Sequence, residues 1–276
     1  MGRWNGKVAV VTGAASGIGR ALAEVLAKEG CRLALSDVNE AGLAETKEML
    51  EKAGGMVHTQ KVNVAKRDQV EAWAEAIVAE YGGVDIVINN AGVTVVDTFE
   101  DISYEDFEWI MSINFWGAVY GSKAFLPHLR NAKEGYLANI SSIWGMLAAP
   151  SQAAYCATKY AVRGFTESLR QEMHGTNVTV TCIHPGAIKT AITHNARHHH
   201  RPGRTFSRDK LINEFEPKVA RTTATEAAQI IVKGMQQKKR RVLVGNDAHA
   251  LSWMQRILPL GYEGILRRQL NVAGDK

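Results

Sequence analysis

Short apolar runs rich in Val, Ile and Leu alternate with amphipathic patterns along most of the chain, and no other feature restricts its fold as much. Lys7 to Val11 reads as a buried strand, Ile18 to Glu29 as an amphipathic helix, Arg32 to Ser36 as a strand, and Glu40 to Ala53 as a helix with Leu43 and Leu50 on one face. Met56 to Val62 then reads as a strand, Arg67 to Tyr81 as a helix, Val84 to Ile88 as a strand, Tyr104 to Leu129 as a long helix ending near Pro127, and Gly135 to Ile140 as a strand. A helix (Ala153 to Met173), a strand (Val178 to Ile183), a helix (Thr225 to Gln237) and a strand (Arg241 to Val244) complete the pattern. Strands joined through helices must run parallel, and a parallel sheet is covered on both faces. The expected class is therefore α/β, a doubly wound parallel sheet. No internal repeat or low-complexity linker divides residues 1–276, which read as one domain. The exceptions are a long segment, 190–223, and a C-terminal arm, 246–276.

The first strand runs into Gly13-Ala14-Ala15-Ser16-Gly17-Ile18-Gly19, with a helix directly behind it. By itself a glycine-rich turn need be no more than a tight turn. Here the glycines let the backbone approach a pyrophosphate, while the helix start offers free N–H groups and the positive end of its dipole. Twenty residues beyond Gly17, Asp37 closes the second strand. A carboxylate there accepts hydrogen bonds from both ribose hydroxyls of NAD and repels the 2′-phosphate of NADP. No Lys or Arg stands beside Asp37 or immediately before Gly17, so NAD is expected over NADP; Arg20, the nearest cation, reads as a surface helix residue.

Tyr155 and Lys159 lie four apart at the start of a helical pattern, one above the other. An ammonium near the phenol lowers its pKa from about 10, which lets a tyrosine exchange a proton with a substrate oxygen near neutral pH. Most pairs with this spacing are only helix-surface contacts. This one comes 13 residues after Ser142, which follows the strand end Asn139-Ile140-Ser141. Strand C-terminal ends face the ligand crevice of an open α/β sheet, so the Ser142 hydroxyl is placed to hold the same oxygen.

With Asn89-Asn90-Ala91-Gly92, Asn114 and Pro185-Gly186 added in order, the series resembles the short-chain dehydrogenase/reductase family, in its single-domain branch, over residues 5 to 245. The resemblance implies a Rossmann-type seven-stranded sheet in the order 3-2-1-4-5-6-7, a nicotinamide cofactor, and a homodimer or homotetramer. It implies Tyr155 as general acid/base, Ser142 as the group orienting the substrate oxygen, Lys159 as tuner of Tyr155 and holder of the nicotinamide ribose, and Asn114 as keeper of a water in the proton relay. The implied cofactor site comprises Gly13, Ser16, Gly17, Ile18, Gly19, Asp37, Asn63, Val64, Asn90, Ala91, Gly92, Tyr155, Lys159, Pro185 and Gly186, with Ile188 and Thr190 on the carboxamide. There are two departures. Asn63 stands where the family usually has Asp for the adenine amino group, although its side-chain carbonyl still accepts. Cys156 replaces the usual Ser after the tyrosine and reads as a packed small residue.

Val93, Val95, Ile143, Trp144, Met146, Leu147 and Ala149 flank the two catalytic motifs and are all apolar. As pocket walls they favour an apolar or aromatic secondary alcohol or ketone over a sugar; as ordinary core they say nothing of the substrate. Residues 190–223 are expected to form a substrate lid carrying Arg197, Arg201, Arg204, Arg208 and the run His198-His199-His200. His194 and His198 can share a helix face, but no carboxylate or cysteine completes a metal site and the chemistry needs none, so no metal is expected. The arm places Trp253, Met254, Ile257 and Leu258 at helical spacing, interleaved with Arg256, Arg267 and Arg268. Such a segment packs on a neighbouring subunit or lies on a membrane surface.

The formal charge of +5 raises the question of an acidic partner. Residues 1–188 hold 16 Lys and Arg against 21 Asp and Glu, whereas residues 189–276 hold 17 against 7, so the body is −5 and the remainder +10. No aromatic platform or reading helix accompanies the basic positions, and no nucleic-acid partner is expected. Cys31, Cys156 and Cys182 lie far apart without C-x-x-C spacing, which speaks against a disulfide framework or structural zinc and for a reducing compartment. The N-terminus leads straight into the first strand with no room for a signal peptide, and the longest uncharged stretch, Gly135 to Thr158, is too polar for a membrane span. The expectation is a cytoplasmic, NAD-dependent oxidoreductase acting on a small alcohol or ketone. Its rivals are an NADP-dependent carbonyl reductase and a nucleotide-sensing or membrane-surface-binding protein without turnover.

Overall fold

The structure is a computed structural model describing residues 2–197 and 220–269. Its first half contains β1 (Val8–Thr12), α1 (Gly17–Lys28), β2 (Arg32–Asp37), α2 (Glu40–Lys52), β3 (Val57–Lys61), α3 (Arg67–Tyr81) and β4 (Ile86–Asn89). There follow α4 (Tyr104–Met111), α5 (Gly117–Asn131), β5 (Gly135–Ile140), α6 (Ala153–Glu172), β6 (Val178–Pro185) and the short β7 (Ile188–Lys189). Beyond residue 219 come β8 (Thr222–Thr223), α7 (Ala224–Gln236), β9 (Arg241–Val244), α8 (Asn246–Ile257) and α9 (Tyr262–Gln269). Seven strands form one parallel sheet in the order β3-β2-β1-β4-β5-β6-β9, as the family resemblance implies.

The two-residue period of a strand divides the apolar residues between two layers. Ala9 and Val11 of β1, Ile86 and Ile88 of β4 and Ala138 of β5 face a cluster that includes Leu22 and Leu26 of α1 and Ile231 of α7. Val8, Val10, Val87 and Leu137 face the opposite cluster, with Trp73 of α3 and Phe125 and Leu129 of α5. Because β1 has β2 on one side and β4 on the other, the chain's direction of winding reverses there, and a crevice opens at the strands' C-terminal ends.

One detail differs from the sequence reading, and two segments singled out there make contacts of their own. The long helix is not ended by Pro127. It bends through a π-helical turn, Ser112–Trp116, and α5 continues through Pro127 to Asn131, with Phe125 and Leu129 fully buried on either side of the proline. Burial of these flanking side chains offsets the one hydrogen bond that the proline removes. The segment expected as a lid is anchored where it is described: Arg197 pairs its backbone with Thr94 and Val96, bonds Asp106 at 2.8 Å and lies over the Trp109 ring at 3.7 Å. His198-His199-His200, Arg201, Arg204 and Arg208 lie outside the described residues. The C-terminal arm packs on its own chain. Tyr262 and Leu266 are buried against Ile143, Met146 and Leu147, leaving Trp253, Ile257 and Leu260 exposed. No helix among the described residues is long and apolar enough to cross a membrane.

Candidate active site

The crevice is a cavity of about 380 Å³, and all the expected cofactor residues line it, from Gly13 and Ser16–Gly19 through Asp37, Asn63, Val64 and Asn90–Gly92 to Pro185, Gly186, Ile188 and Thr190. Gly13 and Gly17 have φ values of 70° and 54°, a left-handed conformation that favours glycine. A Cβ on Gly19 would overlap the Gly13 carbonyl. The Ser16 hydroxyl makes no capping bond, so the first N–H groups of α1 are not capped by the N-cap side chain. A bare turn of this kind at a helix start fits a dinucleotide pyrophosphate.

The turn is braced from behind by residues 78 positions away. Asn90 Nδ2 donates to the carbonyls of Thr12 (2.9 Å) and Gly13 (3.2 Å), while Thr12 Oγ1 accepts from the N–H groups of Asn90 and Ala91. Both Asn90 amide protons are therefore taken by the turn. Asp37 is oriented by two backbone donors, Ala15 N at 3.0 Å and Asn39 N at 2.9 Å, and its remaining lone pairs are free for hydroxyl donors. Asn63 Oδ1 accepts from Ala65 N at 3.0 Å and keeps a second lone pair. Arg20 departs from the sequence reading: it is half-buried and ties α1 to α2, donating to Thr46 Oγ1 and to the carbonyls of Ala15 and Gly42 and pairing with Glu45.

At the other end of the cavity stand Ser142, Tyr155 and Lys159. Ser142 follows β5, and its Oγ accepts from Trp144 N at 3.1 Å, which fixes the rotamer at the start of the 3₁₀ turn Ile143–Gly145. Tyr155 and Lys159 lie in the first two turns of α6. Lys159 is 3% exposed; its Nζ donates to the Ile140 carbonyl at 3.0 Å and stands 5.5 Å from the Tyr155 ring centroid. The phenol's pKa is raised where a lowering was expected: burial pushes Tyr155 up to about 12, against a hydrogen bond with Ser142. Burial also brings Lys159 down to about 8. Asn114 lies in the π-helical turn behind them. Its Oδ1 accepts from Val93 N at 2.8 Å, and its Nδ2 donates to the Val93 carbonyl (2.9 Å) and to Thr158 Oγ1 (3.1 Å). These bonds take both side-chain protons and lock the strand exit at Gly92-Val93 beside Lys159. Such π-helical turns recur at functional sites.

Of the apolar residues singled out as substrate walls, Val93 lines the cavity. Val95 is buried with Ile110 and Ala154. Ile143 is buried, and Trp144 partly buried, against the C-terminal arm, together with Met146 and Leu147. Ala149 is buried outside the lining. Ile113, Ala191, Ile192 and Asn195 line the cavity without having been singled out. Ile113 lies next to Asn114, and the other three follow Thr190, so sequence neighbourhood was the available signal. His184 also escaped the sequence reading. It is fully buried in β6, its Nδ1 is 2.9 Å from the Ser142 carbonyl, and its Nε2 has no partner among the described residues. Burial brings its pKa down to about 4, so it is neutral and donates from Nδ1.

Comparison with known proteins agrees with this geometry. The sequence profile described as short chain dehydrogenase matches residues 7–201. The chain is 43% identical over 268 residues to SadH of Mycobacterium tuberculosis, an oxidoreductase by name, covering 96% of each chain. It is 36% identical over 193 residues to the cyclopentanol dehydrogenase of Comamonas testosteroni, covering 70% of this chain and 77% of that one. Among solved structures, a short chain dehydrogenase/reductase from Burkholderia phymatum in complex with NAD superposes with a TM-score of 0.87 at 29% identity, covering 95% of this chain and 97% of the other. A profile match to most of the chain, with relatives aligned nearly end to end, shows that this protein is an oxidoreductase of the short-chain dehydrogenase/reductase family.

Proposed function

We propose that the protein interconverts a secondary alcohol and a ketone, apolar or aromatic, with NAD in preference to NADP, through Ser142, Tyr155, Lys159 and Asn114. One observation carries this reading. Among the described lining residues the single carboxylate, Asp37, stands at the glycine-turn end, and the single Lys or Arg, Lys159, stands beside Tyr155 and Ser142. A 2′-phosphate near Asp37 would meet a negative charge with no cation among the described lining residues beside it, and Arg20 is already held by α2 and the turn.

Bound NAD would supply the hydride acceptor, and the remaining tasks fall to the chain. Ser142 holds the substrate oxygen and Tyr155 takes its proton as the carbinol hydrogen leaves; in the reverse direction Tyr155 returns the proton. Lys159 places a positive charge near the forming phenolate, which opposes the burial that holds the free phenol neutral. Val93, Ile113 and Ile192 present apolar surface to the cavity, which suits an apolar substrate. We infer a homo-oligomer in the cytoplasm, with exposed Trp253, Ile257 and Leu260 available to a second copy or to a membrane surface.

The test is a panel of apolar secondary alcohols, cyclopentanol among them, with NAD and NADP in parallel, followed by the near-ultraviolet absorbance of the reduced cofactor. Turnover with NAD, at a kcat/KM at least about tenfold above that with NADP, is expected; tenfold corresponds to about 1.4 kcal/mol at the ribose hydroxyls. Equal use of NADP would contradict the role given to Asp37. Cofactor binding without turnover across the panel would favour the nucleotide-sensing alternative.

A further inference from the structure

The family resemblance implies Pro185 and Gly186 at the cofactor and Ile188 and Thr190 on the nicotinamide carboxamide, and the role assigned to Asp247 rests on that reading of the proposed site. The backbone of residues 185–190 is held on both sides. Gly186 N donates to the Val244 carbonyl at 2.9 Å, and Ile188 and Lys189 pair in parallel with Thr222 and Thr223. Between these pairings lies Ala187 N, whose partner is a side chain from the C-terminal arm: Asp247 Oδ2, at 2.7 Å.

Three features mark this contact as built. Gly186 has no side chain, and a Cβ there would overlap the Asp247 carboxylate; a Cβ on Gly245 would also press on it. Asp247 occupies the first turn of α8, whose N-cap, Gly245, offers no side-chain acceptor, so the carboxylate sits where the helix dipole favours a negative charge. The arm itself is anchored to the other wall of the site. Ala248 is fully buried, and Tyr262 Oη accepts from Ala148 N at 3.2 Å, six residues beyond Ser142.

We propose that Asp247 is a positioning residue for cofactor binding. It holds Ala187 N and thereby sets the loop that meets the nicotinamide end, while making no contact with the adenine end. The C-terminal arm is then a working part of its own chain's active site.

The test is a fluorescence titration of the full chain with NADH, alongside a calorimetric titration with ADP-ribose, which lacks the nicotinamide. In D247A, NADH affinity should fall about tenfold while ADP-ribose affinity stays within about twofold. D247N, whose amide oxygen can still accept from Ala187 N, should keep NADH affinity within about threefold of wild type. Should D247A fold poorly, D247S repeats the test, since serine is too short to reach Ala187 N but keeps a polar side chain in the first turn of α8. Unchanged NADH affinity in D247A or D247S would overturn the proposal. So would equal losses for NADH and ADP-ribose, which mark general damage, or a loss in D247N as large as in D247A. A wild-type chain that binds ADP-ribose no less tightly than NADH would instead sink the reading of the loop itself, a distinct result.

Discussion

His184 turns the geometry behind Ser142 into a stability experiment. Its ring is fully buried, and Nδ1 must carry a proton to donate to the Ser142 carbonyl at 2.9 Å. A second proton on Nε2 would be buried without a partner, with Arg163 and Arg241 adding repulsion and Glu167 only partly opposing it. The pKa accordingly falls from 6.5 to about 4 in the folded chain. Between those values the unfolded chain binds a proton that the native chain refuses, so stability is complete above pH 6.5, declines as pH falls through the window, and levels off below about 4. At about 1.4 kcal/mol per unit, the full change is about 3 kcal/mol. In His184→Asn the amide N–H replaces Nδ1–H at the carbonyl, and nothing there titrates. At pH 7.5 the variant should be less stable by about 1–2 kcal/mol, from the lost ring volume. Towards pH 4 that deficit should shrink and reverse, because wild type alone loses the His184 contribution, while every other group titrates alike in both proteins. Urea denaturation followed by tryptophan fluorescence at several pH values measures the difference. Two curves that stay parallel from pH 7.5 to 4 would refute the neutral, buried assignment.

Two further outcomes are expected of the site. With Tyr155 pushed up to about 12, the form that accepts a proton is scarce at neutral pH, so initial rates of alcohol oxidation should climb steadily as pH rises while ketone reduction does not; an oxidation rate that is flat or falls with pH would contradict Tyr155 as the base. Arg20→Ala should cost about 1–3 kcal/mol in chemical denaturation, through the donor lost at the Ala15 carbonyl and the lost tie to α2, where Gly42 keeps its bond from Thr46 Oγ1. It should leave the ratio of kcat/KM for NAD and NADP unchanged, and a shift of that ratio would show that Arg20 takes part in cofactor choice.

The alternation of strands and helices was readable because each strand carries a contiguous apolar run and each helix a one-sided stripe, signals that lie within a single element. The cofactor cavity was readable for a related reason: the turn at Gly13–Gly19, Asp37, and the Tyr155 and Lys159 pair each state their chemistry over a few residues. What was hidden depends on contacts between distant parts of the chain. His184 sits in a strand buried over nearly its whole length, so no periodicity distinguishes it, and its partner lies 42 residues away. Arg20 has the spacing of a surface helix residue, and only the approach of α2 buries it. Ile143 and Trp144 follow Ser142, the proposed substrate-oxygen holder, and so look like substrate walls, yet Tyr262 and Leu266 fold back over them. Pro127 is a local stop signal overridden by the packing of Phe125 and Leu129. Nothing local to the arm signals that Asp247 and Tyr262 bond Ala187 and Ala148 of their own chain.

The central claim is that Tyr155 exchanges the proton of the reacting hydroxyl at a site that binds the cofactor independently. Its most direct test compares wild type with Tyr155→Phe, which removes the phenolic oxygen and keeps the ring. The two proteins are titrated with NADH and then assayed for reduced cofactor formed from NAD and a secondary alcohol. NADH affinity within about threefold of wild type, with turnover reduced by about 10²-fold or more, is the predicted result. Turnover at the wild-type rate in Tyr155→Phe would contradict it.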